Sequence, residues 1–287
     1  MNQLCSANTI HPRDIAAGVT ALQHGGFSAW YAAQVNLFNS DQPNFTMSSY
    51  AEFANRTQRA QLPLASAQDL INYSVLYASD HFARFTELLT QLKTSAHRPE
   101  LCAEPIWLKV FDYGCGQGLA SLALMQHLAG RQVKIELHLV EPSALALQAA
   151  VAYTQAQANH YGIELNVQPH HCGLDQLPDA VFTLQPQQTA VHLFSNVLDL
   201  TSAGHFHLPV LLNQLQKMQG KQLCLAVSPT YWSGKLGFDL FKQAFPHSRC
   251  WVDCDTLTAT AYTFRLGQGM QYRHVQGRAF AAQFRVD

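Results

Sequence analysis

The stretch Lys109-Val110-Phe111-Asp112-Tyr113-Gly114-Cys115-Gly116-Gln117-Gly118-Leu119 decides how the rest of the chain is read. It closes an apolar run over 107–113 that reads as a strand ending in glycines. Glycines at alternate positions let the backbone turn sharply and let a ligand approach it closely. A run of helical periodicity follows over 119–128, and its first N–H groups have no partner inside the helix. The next apolar run, 135–140, ends in Glu141-Pro142. Glu141 stands 23 residues after Gly118, near the roughly 20 at which a carboxylate meets ribose hydroxyls.

Outward from this stretch the alternation continues. A helix is expected over 143–160, strands over 163–167 and 190–194, a helix over 208–218, a strand over 223–227 and a helix over 235–245. Two closing strands, 258–266 and 278–286, have no helix between them and should pair antiparallel. Strands alternating with helices imply right-handed crossovers and a parallel sheet covered on both faces. Before residue 100 the pattern is helical. Ser66 and Asp69 resemble a capping box, and Ile71, Val75, Ala78, Phe82, Phe85, Leu89 and Leu92 make one apolar stripe of a helix over 67–92. Gly25-Gly26 separates two shorter segments, and Phe27, Trp30, Tyr31 and Phe38 after it should bury. Tyr73, Tyr77 and His81 lie four apart on the long helix; they either cover the sheet or reach into a pocket.

Composition narrows the function classes. The 287 residues carry 18 Lys+Arg against 19 Asp+Glu, with 48% hydrophobic and 13% charged residues. A plentiful apolar fraction excludes general disorder, and near-neutral charge disfavours a broad nucleic-acid footprint. No window approaches the ~18 apolar residues of a membrane helix, and residues 1–13 lack a signal-peptide core. The expectation is a cytoplasmic protein. Seven cysteines without a CxxC pair make a disulfide framework unexpected. Cys250, Cys254 and His247 are too few and too spread for a zinc site, and no metal is expected.

The ligand follows from charge. The spacing is GxGxG rather than the GxGxxG of dinucleotide sites, and Asp112 stands beside the loop. A carboxylate there repels a pyrophosphate and welcomes an ammonium or sulfonium. S-adenosylmethionine carries both cations, ribose hydroxyls and no phosphate, so an NAD-dependent oxidoreductase is disfavoured. At these residues a resemblance enters. Phe111-Asp-Tyr-Gly-Cys-Gly-Gln-Gly118 resembles the first motif of the class I S-adenosylmethionine-dependent methyltransferases. Glu141 resembles the second motif, and Leu193-Phe-Ser-Asn-Val-Leu-Asp199 is similar to the stretch closing the fourth strand.

The resemblance implies an α/β, Rossmann-like, doubly wound sheet of seven strands, mostly parallel with an antiparallel last strand, over residues 105–287. Residues 1–104 would form an N-terminal helical cap. It implies that Asp112, Gly114, Gly116 and Gly118 hold the methionine end, that Glu141 meets the ribose, and that Ser195 and Asn196 border the transferred methyl; Cys115 and Pro142 are read as cofactor-binding too, and Tyr113 as lying against the cofactor or the lid. The Asp that often meets adenine has no counterpart; Cys172, Gly173 or Asp175 would stand in. No Asn/Asp-Pro-Pro-Tyr follows the fourth strand, which disfavours methylation of exocyclic amines. If the acceptor, an O or N atom, carries a proton, the candidate bases are Asp199, His205, His207 and Tyr231. A small-molecule acceptor is expected. A tRNA or protein acceptor stays open through Arg56, Arg59 and Arg84, as does a non-catalytic protein that only binds the cofactor.

Overall fold

The computed structural model describes residues 12–59, 61–94, 106–230, 232–245 and 248–286. Tyr231, His247, residues 1–11 and the expected boundary at 104/105 lie outside them. Seven strands form one sheet: β1 Ile106–Tyr113, β2 Val133–Val140, β3 Glu164–His170, β4 Thr189–Ser195, β5 Gly220–Ser228, β6 Arg249–Arg265 and β7 Gly269–Val286. Their order is β3-β2-β1-β4-β5-β7-β6. The first five run parallel, and β7 is antiparallel to both β5 and β6. This is the seven-stranded Rossmann-like topology expected above. Beginning at β1, the order reverses between β1 and β4, and ligands of open α/β sheets bind at the carboxyl ends of strands at such a switch.

The closing hairpin is longer than its periodicity suggests. β7 pairs with β5 only over Arg278–Val286, and its first half continues with β6 past the sheet. Bulges between Cys250 and Val252 and between Cys254 and Leu257 shift the register there, which breaks the strict alternation read from sequence.

Helices lie on both faces. α1 Pro12–Asp41, α2 Met47–Arg56, α3 Ala67–Tyr73 and α4 Ser79–Thr94 precede the sheet. α5 Leu119–His127, α6 Ala144–Tyr161, α7 Leu208–Lys217 and α8 Trp232–Gln243 alternate with its strands. α1 kinks at Gly26, whose φ of 63° and ψ of −155° lie outside helical space. β1 shows how the two cores divide: Leu108 and Val110 pack with α5, α6 and the N-terminal helices, whereas Phe111 and Tyr113 pack with α7 and α8. Trp30, Tyr31, Phe85 and Leu89 share the first core with the sheet, so the N-terminal helices complete one face of it.

The expected single helix over 67–92 is interrupted. Ser66 caps α3, its Oγ accepting from Asp69 N at 3.1 Å, but Asp69 turns away to a two-point ion pair with Arg56. Residues Ser74–Ala78 then form a π-helical turn before α4. The residues of the apolar stripe are buried. A π-turn adds one residue to the turn and tends to mark functional positions.

Candidate functional site

Local backbone conformation explains the glycines. Gly114, Gly116 and Gly118 all have positive φ, at 60°, 53° and 81°. A Cβ on Gly114 would stand 2.6 Å from Val197 Cγ1, and one on Gly118 would stand 3.1 Å from Thr154 Cγ2. Those two glycines are needed for packing as well as for the turn. Gly116 differs, because a Cβ there would meet no atom within 4 Å; it faces a cavity of about 360 Å³. Glu141 holds the loop in place. Its Oε2 accepts from Gly116 N at 2.9 Å and its Oε1 from Ser143 N at 2.8 Å. Burial raises the Glu141 pKa, and these backbone bonds oppose the rise.

Strand alternation separates Asp112 from Tyr113. Asp112 is turned towards α5, where its Oδ2 accepts from Ser121 Oγ at 2.6 Å and Ser121 N at 3.2 Å. Burial pushes its pKa up to about 7; the two Ser121 bonds oppose this and the Glu141 charge adds to it. Asp112 lies beneath the glycine loop, behind the cavity wall. Tyr113 is expected from the sequence against the cofactor or the lid, and the structure corrects this. Its ring is fully buried on the opposite face, stacked on Phe194 at 4.8 Å. Cys115 is buried in the first core, away from the cavity.

The turn after β4 forms the next wall. Ser195, Asn196, Val197 and Asp199 line the cavity with Gly114, Gly116, Glu141 and Pro142, so Ser195 and Asn196 do meet the glycine loop. Asn196 has φ of 61°, donates its backbone N–H to Val227 O at 2.9 Å and its Nδ2 to Ser195 Oγ at 3.1 Å. Its Oδ1 is buried with no hydrogen-bond partner.

Other expected residues fall elsewhere. His205 and His207 are exposed and outside the cavity. The backbone N–H of His207 donates to Asp175 Oδ2 at 2.7 Å, which ties the loop after β3 to the start of α7. Cys172 and Gly173 also lie off the cavity, whose wall at that loop is Leu174; Gly173 N donates to Gln176 Oε1. Among the described residues no His, Cys, Asp or Glu cluster is placed to hold a metal.

The wall facing the glycine loop comes from the N-terminal helices. Tyr73, Tyr77 and His81 line it together, which decides between the two readings left open above. Tyr73 Oη and His81 Nδ1 are 2.9 Å apart, and Tyr77 Oη donates to Tyr50 Oη at 3.3 Å. Burial, then the Arg84 charge, holds His81 well below the usual imidazole range, so it is neutral. Burial, then the Glu141 charge, raises the Tyr73 phenol. Gln117 fastens this wall to the loop: its Nε2 donates to Leu70 O at 3.0 Å and its Oε1 accepts from Ser74 Oγ at 2.9 Å.

Sequence reasoning missed Tyr50 and Asp80 in this wall. The structure divides Arg56, Arg59 and Arg84, the residues through which the sequence leaves a tRNA or protein acceptor open. Arg56 is engaged by Asp69, Arg84 is buried, and Arg59 stands exposed at the cavity mouth. The described non-glycine residues with positive φ are Gln58, Arg59 and Asn196. Each such residue costs roughly 1–2 kcal/mol; two of the three line the cavity, and strain of this kind gathers at working sites.

Comparison with known proteins adds the following. No protein-family profile matches the chain, and no curated protein matches it in sequence. Solved structures do resemble it. A Listeria monocytogenes protein assigned to the class I S-adenosylmethionine-dependent methyltransferases shares 13% identity at a TM-score of 0.43, over 96% of this chain and 86% of that one. Precorrin-6y C5,15-methyltransferase from Geobacter metallireducens shares 9% identity at a TM-score of 0.40, over 70% and 87%. A geranyl diphosphate methyltransferase, solved with geranyl diphosphate and sinefungin, shares 13% at 0.37, over 70% and 76%. The fold itself rests on the strand order above. No helix among the described residues is long and apolar enough to cross a membrane.

Proposed function

We propose that the protein is an S-adenosylmethionine-dependent methyltransferase whose acceptor is a small molecule held against the N-terminal helices. One observation carries this reading: a single cavity runs from the glycine loop and Glu141 to the Tyr73–Tyr77–His81 wall. The residues present fit the cofactor. Gly116 leaves open space where a side chain would intrude. Each Glu141 oxygen, already holding one backbone N–H, keeps a lone pair for a ribose hydroxyl. Asn196 Oδ1 is buried and unpartnered, and an ammonium supplies the donor it lacks. Burial raises the pKa of both acids, Asp112 and Glu141, and a cationic ligand opposes that rise by favouring the charged carboxylates.

When bound, S-adenosylmethionine supplies an electrophilic methyl on its sulfonium. The chain's part is to align the acceptor and to exclude water, which is worth roughly 7–11 kcal/mol in favourable cases. Ser195, Asn196 and Asp199 border the cofactor side. Neutral His81 pairs through Nδ1 with Tyr73 Oη; in the tautomer whose Nδ1–H donates to that phenol, Nε2 keeps a lone pair for an acceptor proton, as a base weakened by burial. Asp199 is a second acceptor at the same cavity. His205 is exposed and outside the cavity, which favours Asp199 and His81 over it. The division of the arginines, with only Arg59 at the mouth, favours a small acceptor over a nucleic acid.

Labelled S-adenosylmethionine, incubated with the protein and a low-molecular-weight cell extract, should transfer label to a small product. S-adenosylhomocysteine should bind in calorimetry. Binding without any labelled product leaves a non-catalytic binding protein; absence of binding removes the cofactor.

A further inference from the structure

We infer that the acceptor is an aromatic acid: a flat ring lying against the tyrosine wall, with its carboxylate paired to Arg59. This deepens the reading above and rests on it. The wall is built of aromatic rings. Tyr77 and His81 lie near parallel, at 19° with centroids 6.4 Å apart, and Tyr73 is 5.7 Å from Tyr77. Phe53 backs Tyr77 from outside the cavity at 6.2 Å. Such surfaces hold flat apolar bodies, ring on ring.

Charge is divided along the cavity. At the glycine-loop end stand Glu141 and, beneath the loop, Asp112. Asp199 stands at the β4 turn. These acids suit the cationic donor. At the helix end stand Arg59 and Arg84. The acid at that end, Asp80, is taken by Arg273. Arg59 makes no ion pair or side-chain hydrogen bond with another described residue.

The position of Arg59 is built rather than accidental. Its φ of 56° follows a φ of 49° at Gln58. The turn is held by Arg59 N donating to Ala54 O at 2.7 Å and Leu62 N donating to Thr57 O at 3.1 Å. The segment is also pinned from the far side, where Ser143 Oγ donates to Leu64 O at 2.6 Å. Backbone strain that the surroundings maintain brings a guanidinium to the mouth of an aromatic-walled cavity, and a guanidinium is the side chain whose fork matches a carboxylate.

The probes are benzoate and benzamide, the same ring with and without charge. Each is titrated into the protein saturated with S-adenosylhomocysteine and followed by saturation-transfer NMR. Benzoate should bind in the millimolar range and benzamide about tenfold more weakly, as one charge-assisted pair at a partly exposed site predicts. Arg59→Gln should remove that tenfold preference and leave benzamide unchanged, and Arg59→Lys should keep most of it. Arg59 is exposed, so neither substitution disturbs the core. Equal affinity for the two probes, or no benzoate signal at about 50 mM, overturns the acid assignment. A preference that survives Arg59→Gln overturns the role of Arg59. In both cases S-adenosylhomocysteine binding in the same sample shows that the cofactor reading stands; its loss in the wild type would instead strike that reading.

Discussion

Gly116→Ala separates a ligand-binding glycine from a merely permissive one. Two costs are expected. The first is conformational: φ at 116 is 53°, and an L residue in that region costs roughly 1–2 kcal/mol. A stability change of this size lowers Tm by about 2–8 °C for a chain this long. The second is steric and appears only with ligand. The new methyl enters space that is open to 4 Å in the free protein. If the nucleoside lies against the loop, the overlap costs about 1–3 kcal/mol, roughly 5–150-fold in affinity. Gly162→Ala is the control. Gly162 has φ of 67° at the end of α6, and its Cβ would likewise meet nothing within 4 Å, but it lies off the cavity. Calorimetry should show similar Tm losses for both variants, with S-adenosylhomocysteine affinity reduced only in Gly116→Ala. Unchanged affinity in Gly116→Ala would mean that the open face of the loop is not where the ligand binds.

Other outcomes follow from the same geometry. Asp112 is raised from 3.8 to about 7 in the fold, so its contribution is complete below pH ~4 and is lost as pH rises to about 7, on the order of 4 kcal/mol; the Tm gap between wild type and Asp112→Asn should open across that window, and a constant gap refutes it. For the same reason the affinity of wild type for S-adenosylmethionine should rise with pH through about 7, and the rise should be smaller in Asp112→Asn, where only Glu141 remains raised. Tyr73→Phe removes the bond to His81 and should lower turnover about 10–100-fold with S-adenosylhomocysteine binding intact; loss of both would make Tyr73 structural. Arg278 joins Asp239 on α8 to Asp255 on β6, so Arg278→Met should cost about 1–2 kcal/mol, discounted for the exposed carboxylates, and a Tm unchanged in a thermal melt would show that the pairs contribute nothing.

The fold was legible because it is written in short-range signals. The central parallel strands β1, β4 and β5 are buried on both faces and read as short, mostly apolar runs, such as Val191–Phe194 in β4, which His192 interrupts, whereas the edge strand β3 is largely exposed. The α6 crossover begins and ends on local chemistry, with Ser143 capping it through Ala146 N and Gly162 closing it at φ 67°. The hairpin bounds were not legible, because the bulges at Cys250 and Cys254 break the period of two. The π-turn at Ser74–Ala78 was not legible either. Its sequence, SVLYA, has no breaker, and its geometry is set by contacts made 43 and 47 residues away, to Gln117.

That difference in range also explains which half of the site was readable. The glycine loop, Glu141 and the Ser195–Asn196 turn sit at strand ends, where the sheet register alone brings them together: Asp112 pairs with Leu193, and Tyr113 with both Val140 and Phe194. Period-two alternation, applied strictly, would also have sent Tyr113 to the face opposite Asp112. The half of the cavity walled by the N-terminal helices has no such frame. Tyr50 and Tyr77 meet across 27 residues, and Asp80 meets Arg273 across 193. Arg59 reaches the cavity through a turn that its own residue type disfavours. Such positions are chosen by tertiary packing against local preference. If the glycine loop holds the donor and the helical wall the acceptor, a chain whose loop follows common strand-end rules and whose wall follows none can change its acceptor by changing the wall alone. Substitutions at Tyr50, Arg59 or Tyr77 should therefore shift which small molecule is bound before they affect the nucleoside.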